Sequence, residues 1–386
     1  SILFLLLYAE VSCENSPIPS KNSLIFQFAL DNSNEGNIVT SPFSIHMILS
    51  LLSHGAESET LDEMTVGLCH RNKDSIKEGY ATLIALLNLT NVKLYIANAM
   101  YIQDGFELQT EFLAVGSDVY KSSISKLDFK HNIDAAEKIN AWVKKATNDK
   151  ISNLVSSDMK LVMVNAIYFN GVWLHKFDPK NTEKKTFHVT KTESKFVSMM
   201  FSKRKYDYGE LPTMGSRFIE IPYMSLKDSI LQNKDIVMTI ILPTEKDGLL
   251  NLQNNFSWEV LANAERSHNE IELFLPKFKI EFTVDLENIL RKLGLNTIFE
   301  DNANFSGISS IPLKVSKVLH KAVIEVHEEG TEAAAATGAL IFYERKAQQF
   351  LVDRPFMFVI EYKPNKVPLF IGSVKDITVS PERDEL

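Results

Sequence analysis

The sequence predicts an α+β domain. Helical periodicity fills its first third, and strand-like runs dominate from about residue 160 onward. No Pro/Ser/Gly-rich linker, charge block or internal repeat interrupts its 386 residues. At 45% apolar and 23% charged, the chain has the makings of one large core rather than of separate modules.

The helical part opens with NSLIFQFAL (22–30), which puts its apolar residues on one face. SPFSIHMILSLLSHGA (41–56) begins with Ser41-Pro42, a helix-start signal, and then runs apolar. GAESETLDEM (55–64), KDSIKEGYATLIALLNL (73–89) and HNIDAAEKINAWVKKAT (131–147) are further helical stretches, with the strand VKLYIANAMYI (92–102) among them. The later runs are LVMVNAIYFNGVW (161–173), FIEIPYM (218–224), DIVMTIILP (235–243), EIELFLPKFKIEF (270–282), KVSKVLHKAVIEVH (314–327), FMFVIEY (356–362) and VPLFIGSV (367–374). Most are bounded by Pro, Gly or Asn, and several are apolar on both faces, which predicts central strands of a covered sheet.

The two ends read as targeting signals. The apolar run Ile2–Ala9 is too short to span a bilayer and suits the core of a secretory signal peptide, with cleavage expected after Cys13. Residues 14–378 then form a single domain and 379–386 a tail. Cys69 is left as the one thiol after cleavage, so stability must come from the core and not from an internal disulfide. Asn88, Asn255 and Asn304 begin glycosylation sequons, which fits a glycoprotein of the secretory route. The last four residues, Arg383-Asp384-Glu385-Leu386, read as an endoplasmic-reticulum retrieval tail with Arg in place of the usual Lys or His. The expected location is the secretory pathway, with secretion, retention in the endoplasmic reticulum through a retrieval receptor, or both.

A net charge of −8 argues against nucleic acid as the main partner, because phosphate recognition needs a basic surface. No basic amphipathic helix suggests a membrane. His46, His54, His70, His175, His188 and His320 have no metal-ligand spacing, and the sequence carries no zincin, nucleophile-elbow, P-loop or dinucleotide motif. No enzyme, metal or cofactor reading stands out.

One stretch remains unexplained by composition: HEEGTEAAAATGALIFYERKAQQF (327–350), a small-residue track followed by a Glu-Arg-Lys step. It lies within a longer pattern. NIVTSPFSIHMILSLLSHGAESETLDEM (37–64), ANAMY (97–101), INAWVKKATNDKISNLV (139–155), LVMVNAIYFNGVW (161–173), Phe177, Thr182, Phe187, Met199-Met200, IELFLPKFKIE (271–281), NANFSGIS (302–309), HKAVIEVHEEGTEAAAAT (320–337), DRPFMF (353–358) and PLFIGSV (368–374) follow one another in order. Together they resemble the serpins, the serine-protease-inhibitor family, from about residue 20 to residue 375.

The resemblance implies the serpin fold of three β-sheets with eight or nine helices and an exposed reactive-centre loop, about residues 328–350. It implies a monomer that acts as a suicide trap without cofactor. A serine protease attacks the loop as substrate, and the cut loop inserts into the central sheet before the acyl-enzyme is hydrolysed. Glu328, Glu329, Gly330, Thr331, Glu332, Ala333, Ala334, Ala335, Ala336 and Thr337 match the hinge. Its alternation places Thr331, Ala333, Ala335 and Thr337 on one face of the entering strand and Glu332, Ala334 and Ala336 on the other. Small side chains lower the steric barrier to entry, and Gly330 gives a flexible start. Ser41, Ser44, Asn165 and His320 match the shutter beneath the sheet's centre; Trp173 and Glu328 match the breach where insertion begins.

The bait bond has three candidates. Counting from Gly330 with the commonest family spacing gives Glu344 followed by Arg345. The side-chain chemistry favours Arg345 followed by Lys346, since a long basic residue suits the acidic pocket of a trypsin-like protease. Insect serpins with a retrieval tail of this type resemble this loop and place the cut at the same bond, and Lys346 itself remains a third candidate. Phe342 and Glu344 stand where a furin-type protease wants basic residues. A non-inhibitory chaperone of the endoplasmic reticulum is the alternative function, because the collagen-chaperone branch of the family carries a similar tail.

Overall fold

A computed structural model of the chain describes residues 36–68, 72–88, 92–151, 161–224, 235–329 and 348–377. The expected helix at 22–30, Cys69, the residues 330–347 and both chain ends lie outside the described residues.

Eight α-helices occur among the described residues: α1 (Pro42–Gly55), α2 (Ser58–Gly67), α3 (Lys73–Asn88), α4 (Thr110–Asp118), α5 (Asn132–Ala146), α6 (Leu249–Asn255), α7 (Trp258–Asn263) and α8 (Glu287–Lys292). The strands are β1 (Ile38–Thr40), β2 (Lys93–Gln103), β3 (Ser123–Leu127), β4 (Leu161–Asn170), β5 (Glu183–His188), β6 (Ser194–Leu211), β7 (Ser216–Pro222), β8 (Ile236–Pro243), β9 (Ser267–Pro276), β10 (Phe278–Asp285), β11 (Lys317–Val326), β12 (Gln348–Leu351), β13 (Phe356–Tyr362) and β14 (Val367–Val374).

Helix α1 starts as the sequence expects. The Ser41 side chain accepts from the Ser44 amide at 3.2 Å, and Pro42 occupies the first turn, where its missing N–H costs nothing. The helix is buried on nearly every side, which is why it is apolar all round and not striped.

The five-stranded sheet has the order β10-β11-β4-β2-β3. Its side chains alternate between two apolar layers. Ala97, Ala99, Val162, Val164, Leu319 and Val323 face α5 through Ile139 and Val143. Met100, Met163, Ile167, Val318 and Ala322 face the main core, which α1 fills. Both central strands are therefore apolar on both faces, as the sequence predicts. β4 and β11 pair directly and in parallel, from Val162–Lys317 to Tyr168–Val323, with no strand between them.

The larger sheet runs β1-β14-β13-β8-β7-β6-β9-β12, with β5 also on β6. The resemblance implied three sheets; two of them are fused here because β6 is 18 residues long. One part of it pairs with β5 and β9, and its last residues, Asp207–Leu211, pair with β7.

Strand β6 was absent from the sequence reading, as were β3, β5, β12, α4, α6, α7 and α8. Its charges hide a cross-strand row. Phe201 meets Phe274 at 4.9 Å between ring centroids, Lys203 pairs with Glu272 at 3.3 Å, and Asp207 pairs with His268 at 2.8 Å. Such pairs stabilise a solvated sheet face that carries little hydrophobic signal.

Gly372 in β14 lies between β1 and β13. A Cβ there would stand 2.6 Å from the Ile38 carbonyl oxygen and 2.4 Å from a Phe358 ring carbon. Neither strand can retreat without breaking its ladder. Gly372→Ala is expected to lower stability by about 1–3 kcal/mol or more, as overpacking does, in urea unfolding.

Candidate functional site

Two polar clusters lie along the β4–β11 seam. The first sits beneath its middle. Asn98 in β2, Asn165 in β4 and His320 in β11 are direct neighbours in register across three strands. Their side chains meet the N-terminus of α1. The Ser41 amide donates to His320 Nε2 at 3.2 Å. An amide N–H can only donate, so Nε2 is the unprotonated ring nitrogen and Nδ1 carries the proton. Nδ1–H then donates to Asn165 Oδ1 at 2.5 Å, across the seam. Ser44 Oγ donates to the same oxygen at 2.8 Å, and Asn165 Nδ2 donates to Ser44 O at 3.3 Å and to Asn98 Oδ1 at 2.5 Å.

All four residues expected at the shutter are thus brought together. Sequence reasoning missed Asn98, although ANAMY was among the motifs that carry the resemblance. Its Nδ2 is buried with no partner among the described residues. Such a group costs about 1–3 kcal/mol, so the amide is held by its oxygen alone. Burial pushes the pKa of His320 down to about 3, which keeps the ring neutral and its acceptor nitrogen available.

The second cluster closes the end of the seam. The β4–β11 ladder stops at Tyr168–Val323, while β4 stays paired with β2 to Asn170 and β11 with β10 to Val326. The chain beyond β11 is tied to the segment beyond β4. Trp173 N donates to Glu329 O at 3.1 Å and Phe177 N to Glu328 O at 2.9 Å. The Trp173 indole donates to His327 O at 2.9 Å. The Glu328 carboxylate accepts from Thr182 Oγ1 at 2.9 Å and pairs with Lys277 at 2.9 Å. Burial pushes its pKa up, but Lys277, its own backbone amide and Thr182 outweigh this and hold the carboxyl below its usual range. Trp173 is fully buried and stacked on Tyr223 at 4.2 Å and 14°.

Trp173 and Glu328 are thus brought to the same end of the seam. Lys277 and Tyr223 were not singled out, since nothing in LPKFKIE or in FIEIPYM marks one residue over its neighbours. The Glu329 amide also donates to His327 Nδ1 at 3.4 Å, and its Oε2 is buried with no partner among the described residues. Gly330–Thr337, Glu344, Arg345 and Lys346 lie outside the described residues.

The remaining candidates have structural settings. His46 bonds the Tyr80 hydroxyl and, at 3.1 Å, the Leu68 carbonyl. His54 bonds the Tyr120 hydroxyl at 3.0 Å, and burial, with Lys73 and Lys77, pushes its pKa down to about 4. Asn255 ends α6 with an exposed side chain that donates to Asn251 O at 2.8 Å. Asn304 is half-buried and bound to the start of α2 through the Thr60 hydroxyl at 2.9 Å. Asn88 is the last residue of α3.

The family model described as "Serpin (serine protease inhibitor)" matches residues 23–377. The chain is 36% identical over 367 residues to the leukocyte elastase inhibitor of Bos taurus, covering 90% of this chain and 95% of that protein. It is 35% identical over 362 residues to antichymotrypsin-2 of Bombyx mori, with 90% and 94% covered. Among solved structures, that of Serpin48 of the insect Tenebrio molitor aligns with a TM-score of 0.82 at 31% identity, covering 93% of this chain and 96% of that one.

His320 titrates at about 3 in the fold and near 6.5 when unfolded. The unfolded chain therefore binds the extra proton between those values. Its contribution to stability is complete above pH 6.5 and is lost as the pH falls. Relative to His320→Gln, which can still donate and accept, the protein is expected to lose up to about 1.4 kcal/mol per pH unit between pH 6 and 4. Urea unfolding of both proteins across that range tests this; parallel curves would contradict a neutral buried histidine.

Proposed function

The chain belongs to the serpin family, and on that premise we propose that it inhibits a trypsin-like serine protease by trapping it as a covalent complex. The observation that carries this reading is the seam. β4 and β11 lie side by side and directly paired, and the chain leaves β11 at the end where their ladder has already stopped. The next residues, Gly330–Thr337, have the small side chains that an entering strand needs.

In this reading the protease serine oxygen attacks the carbonyl carbon of Arg345. The Arg345–Lys346 bond breaks, Lys346 leaves with a new amino terminus, and Arg345 remains as an ester on the serine. The freed upstream strand enters antiparallel between β4 and β11. It replaces one ladder with two and carries the protease with it. The His320–Asn165 bond must break as the strands part, and Thr331 is the first hinge side chain to follow Gly330 into the seam.

Inhibition is favoured over the chaperone alternative because Ala333–Ala336 hold no bulky, charged or proline residue. The residues Arg383–Leu386 fit a retrieval receptor in the early secretory pathway, and the apolar start fits entry to it; neither feature distinguishes the two functions.

Mixing the protein with trypsin and running a denaturing gel is expected to give a band heavier than either partner, together with a fragment whose first residue is Lys346. Cleavage without that band would remove the trapping mechanism and leave the chaperone reading. A fragment starting at Arg345 would move the cut to Glu344. Thr331→Arg is expected to be cut at the wild-type rate yet form no heavy band, because a charge must then enter the sheet core.

A further inference from the structure

A third polar cluster lies away from the seam, on the face of the nine-stranded sheet that α6 and α7 cover. Phe218 and Val359 pack there in one apolar layer with Leu252 of α6 and Leu261 of α7. Two residues further along the same strands stand Glu220 of β7 and Glu361 of β13, 5% and 4% exposed. β8 runs between them, with Thr239 opposite Glu220 and Val237 opposite Glu361. Val237 and Thr239 are two apart on one strand, so both carboxyls rise from the same face.

Carboxylates are rarely this buried unless each is paired. Glu220 is paired twice. Its Oε1 accepts from Arg266 Nε at 2.8 Å and from Lys363 Nζ at 2.6 Å. Arg266 is itself held by the Leu261 carbonyl at 3.1 Å, by the Ala264 carbonyl and by the Phe218 ring, 5.2 Å below its guanidinium. The Lys363 amide donates to the Asp235 carbonyl at 2.7 Å, which fixes the turn between β13 and β14.

Glu361 has no such donors. Its carboxyl accepts no hydrogen bond among the described residues, and Lys363 Nζ, already bound to Glu220, stands 3.9 Å from its Oε2. Lys366 donates instead to Asn263 Oδ1 at 3.0 Å. Across the ladders Glu361 meets Val237 of β8 and Pro368 of β14, which carry no charge. One carboxyl with two strong donors beside one with none is the arrangement for a charged and a neutral group. Burial pushes the pKa of Glu361 up to about 7; Glu220 adds to this, and Lys363, Arg266 and Lys366 oppose it without cancelling it.

We propose that Glu220 and Glu361 form a proton-storing carboxyl pair that ties the β13–β14 turn and the link after α7 to the sheet, and that this pair tightens the fold as the surroundings turn acidic, against the loosening of the His320 cluster. When the pair ionises, the proton leaves to water and a second carboxylate competes with Glu220 for Lys363. The proposal does not rest on the inhibitory reading.

The fold keeps the Glu361 proton up to about pH 7, the unfolded chain only to about 4.5. The contribution of the pair is therefore complete below pH 4.5 and is lost as the pH rises through 7. That of His320 runs the other way, so between pH 4.5 and 6.5 the two slopes offset one another.

Urea unfolding of wild type and of Glu361→Gln from pH 5 to 8 tests this. The unfolding constant of the wild type is expected to rise relative to that of the variant by up to about tenfold per pH unit, and to level off above pH 7. A merely structural Glu361 would change stability by one factor at every pH, and such parallel curves would overturn the proposal. Infrared spectra of the folded proteins at pH 6 are expected to show a protonated-carboxyl C=O band in wild type that Glu361→Gln lacks; matching spectra would also overturn it. Should Glu361→Gln not fold, Glu220→Gln frees both cations for Glu361 and is expected to shift the loss of that band to lower pH. A band that fades where it does in wild type would then exclude the pairing.

Discussion

The hydrogen bond from His320 to Asn165 crosses the seam on which the rest of the molecule turns. β4 and β11 are far apart in the chain and are joined by their ladder, by the apolar side chains on both faces and by this side-chain hydrogen bond. Parting them breaks no covalent bond and leaves their outer neighbours β2 and β10 in place. Everything around the seam can be read as support for that one pair. α1 offers the Ser41 amide to the histidine's free nitrogen, β2 offers Asn98 to the amide of Asn165, and burial keeps the ring neutral so that both bonds survive. A charged imidazolium would carry two N–H groups and face a second donor at Ser41.

The two ends of the neighbouring chain set the conditions for using the seam. At the breach, the ladder of β4 and β11 has already ended, and backbone donors of Trp173 and Phe177 hold Glu328 and Glu329 in its place. A buried indole stacked on Tyr223 gives that contact a rigid wall. On the far side of residues 330–347, β12 is held at the rim of the nine-stranded sheet by Arg217 and by the contacts of Asp353 and Arg354. That sheet is continuous because β6 runs through it, so the anchor of the downstream segment and the deep strands β13 and β14 belong to one body. An upstream end next to an open ladder and a downstream end pinned to a rigid sheet is the asymmetry that a cut between them would exploit.

How much was legible in advance depends on burial. β4, β8, β11, β13 and β14 announce themselves because strands covered on both faces must be apolar throughout. α1 does so through Ser41-Pro42 and an apolar run. β6 does not, since Lys203, Lys205 and Asp207 are matched across the strand by Glu272, Glu270 and His268, far along the chain. The short helices α6, α7 and α8 give too few turns for a periodic signal. In the site, Ser41, Ser44, Asn165, His320, Trp173 and Glu328 could be carried over from motifs, while Asn98, Lys277 and Arg217 acquire their roles only from what faces them.

The sequence by itself determined the fold class, the family and the small side chains of Ala333–Ala336, because each follows from local pattern or from residues read in order. Only the tertiary structure decided that β4 and β11 are directly paired, that the histidine between them is neutral and which nitrogen bears its proton, and that an arginine of β7, with two strands between, contacts β12. Those facts depend on contacts between residues distant in the chain, where register and burial, not residue type, fix what a side chain can do.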